Sequence, residues 1–584
     1  MRAFNILRLL SLAGAVVVQH DVYDVIIAGA GTAGMVVANR LSERSDITVA
    51  VIEPGDDVRQ DPAVKTIEFA FANFNASINW QYPSVTQPEL GSRNLSYRAG
   101  KAWGGTSSVN GMVYIRGDKA GYDAWEDLGN EGWNWESIFS YAKKGEQFVP
   151  PGRVQVAGGA KYDQEAHGEQ GPLTVGFPSV ISTSSFYNSA RSTWKALGLA
   201  PIDDLNGGNP HGFAAAPQTL DPNTSTREDS ARAYYGPVQA RKNLIILKGT
   251  VKRITWATEN GKQAVANGVE YITASNQLAK VGVRKEVVLS ASTFRNPLIL
   301  EASGVGNPRI LKKLGITTKV PLPGVGENMQ DHNAAGMSYA LKNPISGHLP
   351  YAALPSAHDV FGNETASFEA STSAKLSEWA RTASALSGGA ISASAIEKRF
   401  RIQHDLIFKK NVTIAQLYPS NLANGLLAQF WTSLPFSLGS VHLASTEKIN
   451  EPVITPNLFS TDFDVAMLAA VGRLSHKAYS TPPLSDLIAA NTSPGYSTLP
   501  LDASDEQWAA YLKGTVSNAL HTIGTCAMLP ESLGGVVDSQ VRVYGTRNVR
   551  VVDASIIPMP LSGHATGPIY AVAEKASNLI KASW

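Results

Sequence analysis

The sequence predicts an α/β protein in which a parallel-sheet domain, discontinuous in sequence, is interleaved with a second lobe. Three observations predict it. The chain opens on a strand, a glycine-rich turn, a helix and a second strand. Apolar runs suited to the same sheet recur at residues 243–247, 286–290 and 550–553. With 584 residues the chain is too long for one ordinary core, so the stretches between these runs need a second one.

Residues 23–28 (YDVIIA) are a short apolar run that reads as a buried strand. Gly29, Gly31 and Gly34 follow at G-x-G-x-x-G spacing. Residues 33–41 carry helical periodicity, with Ala33, Val37 and Leu41 on one face. Residues 47–52 give a second strand, and Glu53 closes it 19 positions after Gly34. Each part has a job. Gly29 permits the tight turn, Gly31 lets backbone approach a pyrophosphate at the positive helix end, and Gly34 lets helix and strand pack closely. Glu53 stands where a carboxylate accepts both ribose hydroxyls. The complete context makes this a Rossmann-like dinucleotide fingerprint, which by itself leaves NAD and FAD equally open.

Residues 98–117 (RAGKAWGGTSSVNGMVYIRG) are rich in glycine and small hydroxyl side chains. Such a loop offers backbone N–H groups to phosphate or flavin oxygens, although its composition fits a structural loop equally. Near the other end, His521 stands in NALHTIGTCAM and His564 in LSGHATGP, 43 residues later. The apolar run between them reads as a strand that can return both imidazoles to one pocket. Imidazole is well suited to moving a proton near neutral pH, and two at one site point to proton-transfer chemistry. Taken alone, each histidine fits a packed core as well. Cys526 reads as a small buried residue rather than a nucleophile.

Four stretches together resemble the glucose-methanol-choline (GMC) oxidoreductase family of FAD enzymes. They are residues 98–117 with Asp123 beyond, residues 292–306 (STFRNPLILEASGVG), residues 324–332 (GVGENMQDH), and the segment from His521 to about Lys575. The likeness runs over almost the whole chain. It departs at Asn296, where the family usually has Ser or Thr. The resemblance implies FAD contacts at Gly29, Gly31, Thr32, Ala33, Gly34, Glu53, Gly105, Thr106, Asn110, Gly111, Met112, Val113, Val251, Asp553, Ala554, Thr566 and Pro568. Val251 would meet adenine through its backbone. Non-covalent FAD is expected, because no histidine lies between Ala99 and Gly117 to tether it. The implied reaction is oxidation of a carbinol, with hydride leaving for flavin N5 and electrons passing on to oxygen or a quinone. His521 would be the base, and His564 would hold the substrate oxygen or share that role. Two close imidazoles resist double protonation, so at most one carries charge at rest.

The substrate is expected to be a small-molecule primary alcohol, aryl or secondary-metabolite. Glucose-active relatives carry Arg and Asn four and two positions before the catalytic histidine, where Ser517 and Ala519 stand here. Losing both leaves sugar hydroxyls poorly paired. The H-x-x-x-P pattern from His564 to Pro568 is similar to aryl-alcohol oxidases, and Phe430 and Trp431 are candidates for an apolar wall. A glucose-type oxidase or dehydrogenase stays open, as does a non-redox lyase or cyclase.

The implied division is 1–20, a secretory leader; 21–150, FAD domain with flavin-covering segment; 151–235, substrate domain; 236–335, FAD domain; 336–519, substrate domain; and 520–584, FAD domain with the histidine pair. The substrate lobe is expected to be α+β, a mixed sheet with helices behind it. Residues 149–159 read as a surface loop, and the Ala/Ser-rich stretch 366–395 as a solvated surface segment or an insertion near the substrate entrance. A net charge of +1 without a basic tract gives no sign of nucleic acid, and no apolar run is long enough to span a bilayer. A monomer or homodimer is expected. Arg2 and Arg8 flank the apolar run 9–18, which fits a secretory leader, with a frayed extension as the alternative. Six N-x-[ST] sequons, at Asn75, Asn94, Asn223, Asn363, Asn411 and Asn491, suit a secreted glycoprotein. One cysteine allows no intramolecular disulfide and no cysteine cluster for zinc or iron–sulfur.

Overall fold

A computed structural model describes residues 18–66, 76–182, 184–258, 263–422 and 425–584. Most of the expected leader and the Asn75 sequon lie outside the described residues. The first strand, Val18–Ala28, begins inside the stretch assigned to the leader.

Two sheets organise the chain. In the first, five strands run parallel in the spatial order Leu244–Trp256, Val49–Glu53, Val18–Ala28, Leu278–Leu289 and Val549–Val551. Val25 pairs with Val49, Val49 with Leu244, Ile26 with Val287, and Val287 with Val549. The strand Val49–Glu53 is buried at every position, as a parallel strand covered on both faces requires. The two long strands outrun the parallel part, and Ala266–Thr273 bridges them antiparallel. Helix Thr32–Leu41 packs against the C-terminal helix Thr566–Ala582. There Arg40 Nε donates to buried Glu574 Oε1 and Oε2 at 2.9 Å, joining the two ends of the chain.

The second sheet has the order Ile488–Ser493, Asn333–Leu341, Gly425–Thr432, Ala415–Leu422, Tyr351–Leu354 and Gly212–Ala215, with Ser517–Asn518 added beside Asn333. Its pairings are antiparallel throughout; the mixed pairing expected for this lobe occurs instead in the first sheet. Helix Asp462–Tyr479 lies behind it, so close that a Cβ on Gly472 would sit 3.2 Å from the ring of Phe430 in the strand Gly425–Thr432. Side chains of Gly425–Thr432 alternate: Leu426, Ala428 and Phe430 are buried in the core, and Leu427, Gln429 and Trp431 face a cavity. Phe430 therefore belongs to the core and not to the expected pocket wall.

Residues 366–395 fall in a pair of helices, Thr365–Leu386 and Ala393–Phe408, which pack on each other. Most of the first is solvated, with Leu376, Trp379 and Ala380 turned inward, and none of 366–395 lines the cavity. The expected loop at 149–159 contains a short helix, Arg153–Ala157. Four of the sequon asparagines, Asn94, Asn223, Asn363 and Asn411, are exposed. Asn491 is not: it is buried, and its Oδ1 accepts the Gly495 N–H at 3.1 Å.

Candidate active site

The parallel strands end along one edge, and a cavity of about 620 Å³ opens there. This is where ligands bind in open parallel sheets. Gly29 takes φ +102°, and a Cβ on it would lie 2.5 Å from the Ser290 carbonyl oxygen. At Gly31 a Cβ would make only ordinary contacts, with Ser290 O at 3.8 Å and Gly105 Cα at 4.0 Å, and Gly31 lines the cavity. Gly31 caps helix Thr32–Leu41 without any side-chain bond, and no acid stands in the first turn. The first N–H groups of that helix are therefore free for an anion. Glu53 is buried at the end of its strand, where Ala30 N–H donates to Oε2 at 2.9 Å and Gly55 N–H to Oε1 at 2.7 Å. Burial pushes its carboxyl up to about 7, against those two bonds.

The glycine-rich loop lies directly over the fingerprint. Gly104 N–H donates to Ala30 O at 2.8 Å, and a Cβ on Gly105 would be 2.6 Å from Gly31 Cα. Asn110 Nδ2 donates to Thr566 Oγ1 at 3.2 Å, tying this loop to the C-terminal helix. Beneath it, fully buried Arg227 donates from Nη1 to Ser107 O, Asn110 O and Asn110 Oδ1, at 3.1, 2.8 and 2.9 Å. Asp553 is held as firmly: Oδ2 accepts Ser292 N–H at 2.8 Å and Asn296 Nδ2 at 2.7 Å, and Oδ1 accepts Ser555 N–H at 2.9 Å. Asn296, the departure from the family pattern, thus keeps a working hydrogen-bonding role.

Gly29, Gly31, Thr32, Ala33, Glu53, Gly105, Thr106, Asn110, Gly111, Met112, Val113, Val251, Asp553, Ala554 and Thr566 all line this one cavity. Two expected contacts do not. A Cβ on Gly34 would be 2.0 Å from Gly29 O, so Gly34 serves helix–strand packing only. Pro568 faces a separate cavity of about 20 Å³ behind the histidines. The uncapped helix end, the glycine turn at the cavity wall and the carboxylate of Glu53 fit a dinucleotide such as FAD.

His521 and His564 stand at the far end of the same cavity, with ring centroids 5.0 Å apart. His564 is placed by its N–H, which donates to Ile115 O at 2.8 Å. His521 follows Leu520, which takes φ +61°, and its N–H donates to Asp331 Oδ1 at 3.0 Å. Thr522 Oγ1 donates to the other Asp331 oxygen. Around these bonds, residues 519–523 and 330–332 form a short ladder: Ala519 N–H to His332 O at 3.0 Å and Ile523 N–H to Gln330 O at 2.9 Å. The ladder brings in a third imidazole, with His332 Nδ1 3.0 Å from His521 Nδ1. Sequence reasoning quoted His332 within a family stretch but gave it no part in the site; Asp331 and Arg227 were likewise missed.

Burial pushes His521 down to about 4. His332 and His564 are held well below the usual imidazole range, first by burial and then by the neighbouring rings. All three are neutral at pH 7. Trp431 covers the pair, 6.1 Å from the His521 ring and 5.5 Å from that of His564, and Tyr418 lies 6.4 Å from His564. Ser517 and Ala519 line the cavity here. Cys526 is fully buried, its thiol pushed well up by burial, which suits a core residue.

Residues 23–334 match the N-terminal, and residues 435–573 the C-terminal, model of the GMC oxidoreductase family. The chain is 48% identical over 575 residues to the glucose oxidase-like protein fsoC of Humicola fuscoatra, spanning 98% of this chain and 97% of that one. It is 33% identical to a glucose oxidase of Aspergillus carbonarius, with 96% and 92% covered. Among solved structures, an FAD-dependent oxidoreductase from Chaetomium thermophilum superposes with a TM-score of 0.88 at 28% identity, covering 96% of this chain and 99% of that one. A fungal aryl-alcohol oxidase superposes with 0.85 at 26% identity, covering 97% and 100%. The chain belongs to the GMC oxidoreductase family and is an FAD flavoenzyme that oxidises alcohols or sugars.

Proposed function

We propose that this enzyme oxidises the CH–OH group of a primary alcohol, aryl or secondary-metabolite, with His521 as the base. One observation carries the reading: a neutral histidine pair closes the dinucleotide cavity beneath an aromatic wall, where Ser517 and Ala519 supply no paired donors for a sugar. Bound non-covalently along the glycine turn and Glu53, FAD supplies the hydride acceptor. The protein does the rest. Trp431 and Tyr418 exclude water from the carbinol and hold it against the rings. The hydroxyl proton passes to His521, neutral and therefore able to accept it. His564 donates to, or accepts from, the same oxygen and fixes the carbinol's orientation. Electrons leave to oxygen or a quinone.

The experiment is an anaerobic panel of primary aryl and aliphatic alcohols with glucose alongside, read as bleaching of the yellow protein, then repeated with oxygen and a quinone dye. Rapid bleaching by an aryl or other primary alcohol is the expected result. Bleaching by glucose alone replaces the reading with the sugar one, which the names of the glucose oxidase relatives favour. Product without bleaching replaces it with lyase or cyclase chemistry.

Secretion and N-glycosylation belong to the same proposal, supported by exposed Asn94, Asn223, Asn363 and Asn411. Loss of mass on glycosidase treatment of the protein from its native host, mapped to those four positions, tests it.

A further inference from the structure

We propose that His332 is a positioning residue that fixes the tautomer of His521, keeping the proton on Nδ1 and leaving Nε2 as the lone pair that meets the alcohol. The inference rests on the alcohol-oxidising reading, but its geometry stands independently. A contact of 3.0 Å between two ring nitrogens requires one proton: one ring donates and the other accepts. The rings are nearly perpendicular, at 85°, so the contact is a hydrogen bond and not a stack.

Which ring donates follows from the base role. With His521 Nδ1 engaged by His332, only Nε2 can meet the alcohol, and a neutral base needs its lone pair there. A neutral His332 then offers only a lone pair at Nδ1, and the proton between the rings belongs to His521. The ladder between residues 330–332 and 519–523 holds both rings in place, with Asp331 clamping the His521 and Thr522 ends from below. His332 is 4% exposed, so no bulk water competes for the bond.

This gives His332 the part that a carboxylate plays behind the histidine of a hydrolase triad, with one difference. A neutral acceptor orients the base without raising its basicity as an anion does. Asp331, although adjacent, spends its carboxylate on the His521 N–H and the Thr522 hydroxyl and leaves the ring to His332. The titratable groups facing the His521 ring are therefore His332 and His564, with Asp331 behind its backbone.

The test uses holoenzyme labelled with ¹⁵N-histidine. Long-range nitrogen–proton spectra report the tautomer directly, without turnover, and the His521 signals are identified by their loss in His521→Asn. The expected wild-type spectrum shows His521 protonated at Nδ1. His332→Leu is expected to populate the Nε2-protonated form and to slow anaerobic bleaching by a primary alcohol about 10²-fold. His332→Asn, which keeps an acceptor, is expected to restore the rate to within about tenfold. His332→Asp is expected to move the acid limb of the rate profile to higher pH, because an anion favours the imidazolium. An Nε2-protonated His521 in the wild type overturns the proposal, and that measurement suffices if His332→Leu does not fold. A wild-type bleaching rate in folded His332→Leu also overturns it. Wild-type holoenzyme that no alcohol bleaches defeats the alcohol reading instead, and the tautomer spectrum still decides the role of His332.

Discussion

The rings of His521 and His564 meet edge to face, at 67° and 5.0 Å between centroids, and among the described residues no carboxylate is bonded to either ring. A pair so placed takes up at most one extra proton, because a second would be added beside an existing charge in a dry site.

This fixes a pH dependence. His521 lies at about 4 in the folded protein, below the ordinary imidazole value of 6.5. The base is therefore free throughout the neutral range, and bleaching by alcohol is expected to fall only as pH drops towards about 4. Stability has the same sign: the unfolded chain binds protons first as pH falls below 6.5, so the contribution is full above 6.5 and is lost between there and about 4. Anaerobic stopped-flow profiles and denaturant melts from pH 4 to 8 check both; an acid limb centred at 6.5 contradicts the buried, neutral base.

His521→Ala removes the proton acceptor and leaves the dinucleotide end untouched. The variant is expected to purify yellow and to bleach about 10²–10⁴-fold more slowly. Unchanged turnover would sink the base assignment.

Arg227→Met is expected to weaken FAD retention without touching the cofactor. It strips the Ser107 and Asn110 carbonyls of their shared donor, and each buried acceptor left unpaired costs about 1–3 kcal/mol. Flavin release on dilution, followed by fluorescence, is expected to rise at least tenfold, and FAD affinity equal to wild type is the contrary result.

The double change Ser517→Arg with Ala519→Asn restores the residues of glucose-active relatives at two cavity-lining positions. The ratio of kcat/KM for glucose to that for the best primary alcohol is expected to rise at least tenfold. A ratio that does not move places substrate discrimination elsewhere, at Tyr418 and Trp431.

The fingerprint was legible because its information is local. Gly29, Gly31 and Glu53 announce turn, approach and ribose contact within thirty residues, and apolar runs mark their strands. The histidine pair was legible only through resemblance, since either ring alone fits a core. His332 was not legible at all: its role comes from a ladder between segments 189 positions apart. Phe430 and Trp431 differ for a related reason, because composition does not say which neighbour on a strand faces the core. Asn491 carries a perfect sequon, yet tertiary packing buries it.

The alternation along Gly425–Thr432 has an evolutionary corollary. Positions 427, 429 and 431 touch whatever occupies the cavity, and positions 426, 428 and 430 anchor the strand to the helices behind. Selection for a new substrate can rewrite the first set while leaving the second alone. A lineage can therefore change diet without renegotiating its fold, and a combinatorial library confined to Leu427, Gln429 and Trp431 would retrace that divergence in the laboratory.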